Sequence, residues 1–479
     1  MESKWIELAK TYLGLKEIKG PQNEPKILAL WKAAKLGGIK NDEIPWCFTG
    51  DTEIMTENGW KRFDALTNEL VYQVDDFGDL SLTSFEIIRK LYNGYVFDIN
   101  HRSIKITCDV GHRWWGFWGK NNIPDFKTLN DITSDGLSIP SVRIRKSDAL
   151  ISDNQLAILA AFISDGKYRY SKNKEQQKPW SFEIEVSKSR KIEKLLSLNP
   201  DHVYTQKKIY GVLTKTPLTV FRFKYPDWFD ECFTEYKKLS SKFINSLSSR
   251  QCAIFLASYA IFDGNGDPFK TILYSGEKSN VDDLLWIATL AGYLPSVQRK
   301  SSSGLGLKDA YTITYDVYKK SRHLKKNHIK KRVFTGELFC VRVPQGRIVI
   351  KGNDSSPTVT GNCAGFVGGI LELVGIKSTR ADSARSYLNW GLHVHTPMVG
   401  AIVIFERGAD SGHVGFVVGR DDINNLMVLG GNQGDMVSIK PFDQDRVLGY
   451  RWPVDVPMDE SATDLPVLAS NGQLSKNEA

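Results

Sequence analysis

Two short segments that lie far apart in the chain look like the two sides of a single interruption. Residues 44–48 read IPWCF, and residues 360–364 read TGNCA. If residues 47–362 are removed, Trp46 is joined directly to Cys363 and the sequence becomes PWCAGF. This joined sequence is a more coherent motif than either half alone. It predicts a host protein that is interrupted immediately before Cys363.

The composition agrees with two components of different character. A chain of 479 residues is too long for one hydrophobic core. Residues 47–362 contain 46 Lys and Arg against 35 Asp and Glu, whereas the flanks contain 17 against 20. A basic insert in a slightly acidic host indicates binding to a polyanion, although a solvated basic surface explains the same charge. The six cysteines lack disulfide-like spacing, which favours a reduced compartment.

Three segments at the ends of the insert carry a further pattern. Residues 47–54 read CFTGDTEI, residues 104–114 read IKITCDVGHRW, and residues 358–363 read TVTGNC. They resemble the N-terminal, second and C-terminal splicing blocks of inteins. The second block of inteins normally has Thr and His three positions apart, but here Thr107 and His112 are five apart and Asp109 takes the usual spacing. Gly361 stands where most inteins have a His before the terminal Asn.

The resemblance implies a splicing mechanism that needs no cofactor. Cys47 would supply the thiol for an N-to-S acyl shift on the Trp46 carbonyl, and His112 would polarise that amide. Cys363 would then attack the thioester, and Asn362 would cyclise and free the insert. The alternative is that Cys47 and Cys363 are buried structural cysteines.

Two copies of another motif lie inside the insert. Residues 158–166 read ILAAFISDG and residues 256–264 read LASYAIFDG. Each copy predicts an apolar helix that ends in Asp-Gly, followed by a strand pattern and a second helix pattern. The repeat resembles a LAGLIDADG homing endonuclease with both motifs on one chain. The resemblance implies that Asp165 and Asp263 bind Mg²⁺ over double-stranded DNA. Four cations at comparable places are candidate DNA contacts, with solvated surface as the alternative: Lys207, Lys208, Arg299 and Lys300.

The rejoined host has motifs of its own, namely PWC across the joint, GHVGFV at 412–417 and GGNQG at 430–434. They resemble the NlpC/P60-type and CHAP-like cysteine peptidoglycan hydrolases of phages. The resemblance implies Cys363 as nucleophile, His413 as base and Asn432 as the residue that orients the imidazole. His393 and His395 are weaker alternatives for the base. A structural Cys and His in a binding module is the competing interpretation. The substrate would be bacterial peptidoglycan, and no cofactor is expected.

The predicted fold class is multidomain: an α+β papain-like host split by an all-β Hint domain, which itself carries an inserted α/β LAGLIDADG endonuclease with two pseudo-symmetric repeats. The predicted boundaries are 1–46 and 363–453 for the host, 47–148 and 326–362 for the Hint domain, 149–325 for the endonuclease and 454–479 for a disordered tail.

The sequence also limits where the protein acts. No apolar run is long enough to span a bilayer, and residues 1–5 (MESKW) lack a signal-peptide pattern. We expect a monomeric cytoplasmic protein of a phage-infected bacterium, with no membrane partner. Two other functions remain open. One is autoprocessing that cleaves without ligation, which Asn362 followed by Cys363 disfavours. The other is a decayed insert that only binds DNA.

Overall fold

The computed structural model describes most of the chain. The described residues are 3–16, 24–33, 47–75, 77–119, 124–170, 178–207, 217–300, 310–343, 345–361, 366–379, 384–406, 412–431, 433, 436–458, 460–470 and 472–475.

The helices of the described chain are short, and within it none is long and apolar enough to cross a membrane. Their bounds are α1 (Lys4–Lys10), α2 (Pro25–Ala33), α3 (Asp153–Asp165), α4 (Ser189–Leu196), α5 (Phe229–Cys232), α6 (Ser241–Ser246), α7 (Ser249–Asp263), α8 (Lys278–Leu290) and α9 (Phe366–Leu373).

Strands make up most of the remaining regular structure. The strands before the repeats are β1 (Phe48–Thr49), β2 (Glu53–Thr56), β3 (Gly59–Arg62), β4 (Val71–Val74), β5 (Asp79–Thr83), β6 (Glu86–His101), β7 (Ile104–Asp109), β8 (Arg113–Trp118), β9 (Asp125–Thr128), β10 (Leu137–Pro140) and β11 (Arg143–Ile144). Those within the repeats are β12 (Gly166–Arg169), β13 (Ser181–Val186), β14 (His202–Lys207), β15 (Pro217–Lys224), β16 (Phe233–Glu235), β17 (Lys238–Leu239), β18 (Lys270–Ser275), β19 (Ser296–Lys300) and β20 (Ala310–Asp316). The last are β21 (Ser321–Leu324), β22 (Ile329–Arg342), β23 (Arg347–Lys351), β24 (Thr358–Gly361), β25 (Leu392–Val394), β26 (Ile402–Glu406), β27 (Gly412–Arg420), β28 (Leu426–Gly430), β29 (Ser438–Phe442) and β30 (Val447–Trp452).

Strands from before and after the repeats form one β unit. The closed barrel has the order β1-β22-β6-β7, and β6 pairs with β22 antiparallel along the whole length of β22. Two further sheets, β21-β10-β8-β9 and β11-β5-β4-β2-β23-β24, also join strands from both sides of the repeats. The chain between β11 and β21 is therefore an insertion into this β unit. Because β21 pairs with β10, the β unit resumes at Ser321, slightly before the predicted boundary at 325.

The inserted repeats form two matching halves. Helices α3 and α7 pack on each other, and both begin with the same reciprocal cap, Ser152 with Gln155 and Ser248 with Gln251. The first half has the sheet β12-β13-β15-β14 and the second has β18-β20-β19. A bridge between Gly264 and Leu273 replaces the first strand in the second half.

The repeats are bonded to the β unit by buried polar groups. The Lys351 side chain is fully buried, and its Nζ lies 3.3 Å from Asp282 Oδ1 of α8 and also pairs with Glu53. The Trp60 indole donates to the Asp282 carbonyl at 3.1 Å. Burial raises the pKa of the neighbouring Asp283 carboxyl to about 7. Removing one partner of such a network leaves a buried charge without its counter-ion in a low dielectric, which is destabilising. The network therefore stabilises the junction.

The two flanks of the insert share one core. A six-stranded antiparallel sheet has the order β25-β30-β26-β27-β28-β29. The Trp5 indole of α1 donates to the Gly400 carbonyl at 2.9 Å and packs on Trp452 with ring centroids 5.2 Å apart. Helix α2 packs on α9. The buried apolar residues of 5–30 and 367–452 form this core, whereas a separate core lies within residues 48–359.

The C-terminal segment differs from the predicted disordered tail. Ala462, Leu465 and Leu468 pack against the host core. The Leu468 N–H donates to the Arg420 carbonyl at 2.7 Å, and the Ser475 N–H donates to the Pro441 carbonyl at 2.8 Å. The polar composition of this segment suggested disorder. Its spaced apolar side chains nevertheless pack on the host sheet. The expectation of disorder is therefore wrong for the described part of the tail.

Candidate active sites

The thiol residue at the start of the insert is buried. Cys47 is 1% exposed, and its backbone N–H donates to Asp109 Oδ2 at 2.6 Å. Asp109 Oδ1 accepts from the Gly111 N–H at 2.7 Å, and the Asp109 N–H donates to the Cys47 carbonyl at 3.0 Å. One carboxylate therefore holds the nitrogen of the Trp46–Cys47 amide. Trp46 itself lies outside the described residues.

His112 connects the two ends of the insert. Its Nε2 is hydrogen-bonded to Thr360 Oγ1 at 2.5 Å, and its ring lies against Phe48 and Trp114, with centroids 4.2 and 5.6 Å away. Thr360 is on β24, two residues before Asn362. Asn362 and Cys363 lie outside the described residues.

Asp109 was not predicted as a splicing residue, although its position in the sequence gave a signal. Asp109 lies three positions before His112, which is the spacing normal for the Thr of this block. Thr107 instead donates to Asp98 Oδ1 at 2.7 Å. The structure therefore brings Asp109, and not Thr107, to the amide nitrogen of Cys47.

A second thiol lies beside Cys47. Strand β1 pairs Phe48 with Phe339 and Thr49 with Leu338, and continuing this register by one residue puts Cys47 opposite Cys340. Both cysteines are buried in one small cluster with Leu338. Cys108 lies nearby on β7, but burial raises the pKa of its thiol well above the usual value. Cys340 is therefore a buried thiol neighbour of Cys47 that was not predicted from the sequence.

The two repeated aspartates lie at matching helix ends. Asp165 is the last residue of α3 and Asp263 is the last residue of α7. Lys191 of α4 lies between them, with its Nζ 2.6 Å from Asp165 Oδ2 and 3.8 Å from Asp263 Oδ1. Burial, and then the Asp165 charge, raise the pKa of the Asp263 carboxyl. Lys237 faces both carboxylates, and burial lowers the pKa of its ammonium. Neither lysine was predicted from the sequence.

Glycine follows each aspartate because the helices and strands approach closely there. A Cβ on Gly166 would lie 2.4 Å from the Phe162 ring, and a Cβ on Gly264 would lie 2.4 Å from the Ile272 carbonyl oxygen. Neither backbone has positive φ, so the need is for space. This close packing brings the two carboxylates to one edge of the repeat pair.

The carboxylate pair fits a divalent cation. Carboxylate oxygens are the ligands that Mg²⁺ takes, and the Lys191 ammonium already shows that a cation is accommodated between the two acids. Among the described residues no group of three or more His, Cys, Asp or Glu has metal-binding geometry. Asp165 and Asp263 would therefore need other oxygen ligands, such as water or phosphate.

The predicted DNA contacts are divided between the two halves. Lys207 ends β14 and Lys208 lies outside the described residues. Arg299 and Lys300 end β19, and both are exposed. Arg299 Nη1 lies 3.1 Å from Asp354 Oδ2 of the β unit, so this arginine also links the repeats to the β unit.

The host sheet holds His413 in a buried position. His413 is 9% exposed, and its ring stacks on Phe442 with centroids 5.3 Å apart. Gln433 is fully buried, and its amide oxygen accepts from His413 Nε2 at 3.1 Å when its NH₂ group donates to the Ser438 carbonyl at 2.9 Å. Asn432 lies outside the described residues. The structure thus adds Gln433 as a partner of the imidazole.

The start of α9 comes to the same place. A Cβ on Gly430 would lie 3.0 Å from His413 Nε2, and a Cβ on Gly431 would lie 2.5 Å from Phe366 Cβ. Phe366 follows Cys363 by three residues, so the glycine pair lets α9 approach the imidazole. His393 and His395 lie instead on or beside the edge strand β25, exposed, with ring centroids 4.6 Å apart.

A family comparison identifies part of the chain. Residues 352–432 match the CHAP domain. The matched segment contains Cys363 and His413 and ends at Asn432. It covers less than half of the chain, so it describes this segment alone. The search of curated proteins found no match.

Solved structures give a weaker comparison. The chain is similar to the crystal structure of I-DmoI in complex with DNA and Mn, with TM-score 0.24 and 12% identity over 34% of this chain and 90% of that chain. For mesophilic variants of the homing endonuclease I-DmoI, the TM-score is 0.25 and the identity 12%, over 34% and 89% of the two chains. TM-scores at this level establish neither the fold nor the activity of this chain.

Proposed function

We propose that the chain is a self-splicing precursor in which an intein with an embedded homing endonuclease, residues 47–362, interrupts a cysteine peptidoglycan hydrolase. One observation carries the proposal. Residues 5–30 and 367–452 share one core although the whole insert separates them in sequence, and the insert has a core of its own. Such an arrangement allows the insert to leave and the host to remain folded.

The first step would take place at Cys47. Its Sγ attacks the Trp46 carbonyl carbon, so that a C–S bond forms and the C–N bond of the amide breaks. The thiol proton ends on the departing amine. Asp109 Oδ2 accepts from the N–H of this amide at 2.6 Å, so its carboxylate holds the amide in place. Once the carboxylate has taken the thiol proton, it could pass that proton to the nitrogen as the C–N bond breaks.

The later steps would use the other end of the insert. The Cys363 thiol attacks the thioester and takes over the Trp46 acyl group. The Asn362 side-chain amide then attacks its own carbonyl and breaks the bond to Cys363, after which an S-to-N shift joins Trp46 to Cys363. Gly361 offers no side chain to assist. The sequence led us to expect His112 at the Trp46–Cys47 amide, but its Nε2 is bonded to Thr360, two residues before Asn362. We therefore propose that His112 protonates the leaving nitrogen of Cys363.

The embedded endonuclease would cut both strands of DNA. Mg²⁺ bound by Asp165 and Asp263 would lower the pKa of the attacking water and neutralise charge on the leaving oxygen. Asp165 and Asp263 would hold the ions at the ends of α3 and α7. Lys191 forms an ion pair with Asp165 and would move from between the carboxylates to a phosphate oxygen. An ammonium group forms charge-assisted hydrogen bonds with carboxylate and phosphate alike. The two sheets of the repeats would contact base edges and phosphates.

The spliced host would cleave an amide of bacterial peptidoglycan. The match of 352–432 to the CHAP domain supports this function. Cys363, which precedes α9 by three residues in the sequence, would be the nucleophile, and a nearby helix N-terminus would favour its thiolate. His413 would take the thiol proton, and the buried Gln433 or Asn432 would fix its tautomer.

The decisive experiment is to express the whole chain and weigh the products by mass spectrometry. We expect a ligated species of residues 1–46 joined to 363–479, beside a free insert of residues 47–362. Fragments without the ligated species would favour cleavage without ligation. A lone full-length species would contradict the splicing proposal.

Single cysteine variants should then identify the first nucleophile. Cys47→Ala is expected to abolish the ligated species because the N-to-S shift has no other thiol at that residue. Cys340→Ala is the matched variant, since it removes a buried thiol of the same cluster, and it should still splice. The opposite result would assign the first attack to Cys340, and Cys232→Ala serves as a distant control.

The hydrolase proposal predicts a pH effect for Gln433. Replacing Gln433 by Leu should lower kcat of the spliced product on peptidoglycan by about 10–100-fold, with little change in KM, because the imidazole loses its fixed tautomer. Gln433→Glu should retain the imidazole's orientation and shift the acidic limb of the pH profile upward, because a carboxylate raises the pKa of His413. An unchanged profile in both variants would exclude Gln433 as a positioning residue.

A further inference from the structure

The second sheet of the repeats ends against the β unit. Its order is β18-β20-β19, and α7 packs on β18, so β19 is the strand farthest from the paired aspartates. Ser296 Oγ of β19 lies 2.8 Å from Ser103 Oγ, and the Val297 N–H donates to Ser356 Oγ at 3.2 Å. A DNA duplex that follows this sheet from Asp263 toward β19 would reach the β unit beyond that strand.

A cluster of basic side chains lies at this contact. We call it the junction cluster; its members are His101, Arg102, Lys319, Arg322 and His328. The rings of His101 and His328 are 4.8 Å apart. Arg322 is buried and fixed at the boundary, because it donates to the carbonyls of Pro357 and Pro295, each at 2.7 Å. Arg102 and Lys319 are exposed.

The junction cluster is not neutralised by the protein itself. Among the described residues, no carboxylate lies within ion-pair distance of Arg102 or Lys319. The basic side chains lower one another's pKa values instead. Burial, followed by His328 and Arg322, lowers the pKa of His101 to about 4. Burial, Arg322 and Arg102 lower the pKa of Lys319. Only Asp316 favours its charge, and weakly. Like charges brought together this way oppose folding.

Among the residues that the structure describes, the first sheet shows no such contact. Its outermost strand is β14, by the order β12-β13-β15-β14. Within the described chain, the side-chain bonds of β14 and its flanking residues go to β13 and β15, as with Tyr204 to Glu183 and Asp201 to the Lys224 N–H. The two halves therefore match around the aspartates but differ at their outer edges.

We propose that the junction cluster binds the phosphates of duplex DNA beyond the half-site that faces β18-β20-β19, so that the splicing β unit extends the endonuclease contact on one side only. Arg102 and Lys319 are the phosphate contacts, and Arg322 holds the boundary in register. This inference rests on the proposed endonuclease function. Its distinguishing consequence is an asymmetric DNA contact that depends on residues outside the repeats.

The test uses the protein as it is expressed from the full chain, and a duplex of the uninterrupted host coding sequence centred on the codons that join Trp46 to Cys363. Trimming one helical turn, about 10 base pairs, from one end should weaken binding, whereas the same trim from the other end should not. Hydroxyl-radical footprints should be longer on the sensitive side.

Single variants assign the effect to the junction cluster. Arg102→Gln and Lys319→Gln should each make the plot of log affinity against log salt shallower by about 0.9, the value for one phosphate contact. Each should also reduce the sensitivity to the trimmed end. Lys242→Gln, which removes one exposed charge on α6, is the matched control and should behave like the parent chain. Splicing should be unchanged in all three variants, which verifies folding.

The outcomes separate this inference from the function on which it rests. A parent chain that neither binds nor cuts the duplex would overturn both. A parent chain that cuts, combined with variants that keep the full salt slope and the same response to trimming, would overturn the junction contact and leave the endonuclease standing. Equal loss on trimming either end would also exclude a one-sided contact.

Discussion

Replacing either Asp165 or Asp263 by asparagine is expected to lower the rate of double-strand DNA cleavage by about 10²–10³-fold, the scale for loss of one preorganised electrostatic group. Asparagine keeps the size and one oxygen of the side chain but removes its charge. DNA binding should persist, because phosphate affinity depends on the surrounding cations. Cleavage time courses of supercoiled and linear DNA would measure the effect, since nicked circles show that one strand is still cut.

The direction of the pH dependence follows from the same carboxylates. Burial and Asp165 raise the pKa of Asp263, so this group is protonated to a higher pH than an ordinary aspartate. Its ligand form therefore increases as pH rises through that raised pKa, and cleavage by the parent chain should rise with it. Asp263→Asn should lose this limb. A chelator should abolish cleavage and leave splicing intact, because no step of splicing needs a metal.

A matched control excludes general effects of removing an acid. Asp227→Asn makes the same change at a fully exposed side chain in the same unit, and its cleavage rate should equal that of the parent. Parent-like cleavage by both Asp165→Asn and Asp263→Asn would contradict the assignment of the metal site. Loss of splicing in either variant would point instead to a folding defect.

The sequence predicted best what depends on local pattern. Two copies of an apolar helix that ends in Asp-Gly predicted α3 and α7 with Asp165 and Asp263 at their last positions. The extent of a helix is set by its own residues and caps. The repeated motif was therefore sufficient to predict both helices. The interruption at Cys47 and Cys363 remains a proposal, which the separate cores of residues 48–359 and of the two flanks support.

The partners that come from elsewhere in the chain could not be predicted in this way. Lys191 reaches the two aspartates from α4, and Cys340 reaches Cys47 only through the pairing of β1 with β22. Gln433 was passed over for its neighbour Asn432, because a loop sequence does not reveal which side chain turns toward the imidazole. Each of these contacts depends on strand register or helix packing between distant segments.

Asp109 allows the sequence motif and the structure to be tested against each other. Asp109→Ala is expected to slow formation of the first thioester by about 10²-fold or more, as for loss of a positioned general acid or base. The change removes the carboxylate that accepts from the Cys47 N–H, and Cys47 is buried. The intein motif would assign this role to a threonine, but Thr107 is bonded to Asp98 instead. Thr107→Val should therefore have little effect on the thioester.

The measurement isolates thioester formation by blocking the cyclisation of Asn362. In an Asn362→Ala chain, dithiothreitol cleaves after Trp46 only if a thioester has formed, since a thiol exchanges with thioesters and not with amides. The rate of this cleavage should fall in Asp109→Ala and stay near the parent value in Thr107→Val. Asp98→Asn is the matched acidic control, because Asp98 pairs with Arg332 at 2.6 Å on the neighbouring strands. If Thr107→Val were the slow variant and Asp109→Ala the fast one, the hydrogen bond from Cys47 to Asp109 would have no part in splicing, and the motif position would have to be reassigned to Thr107.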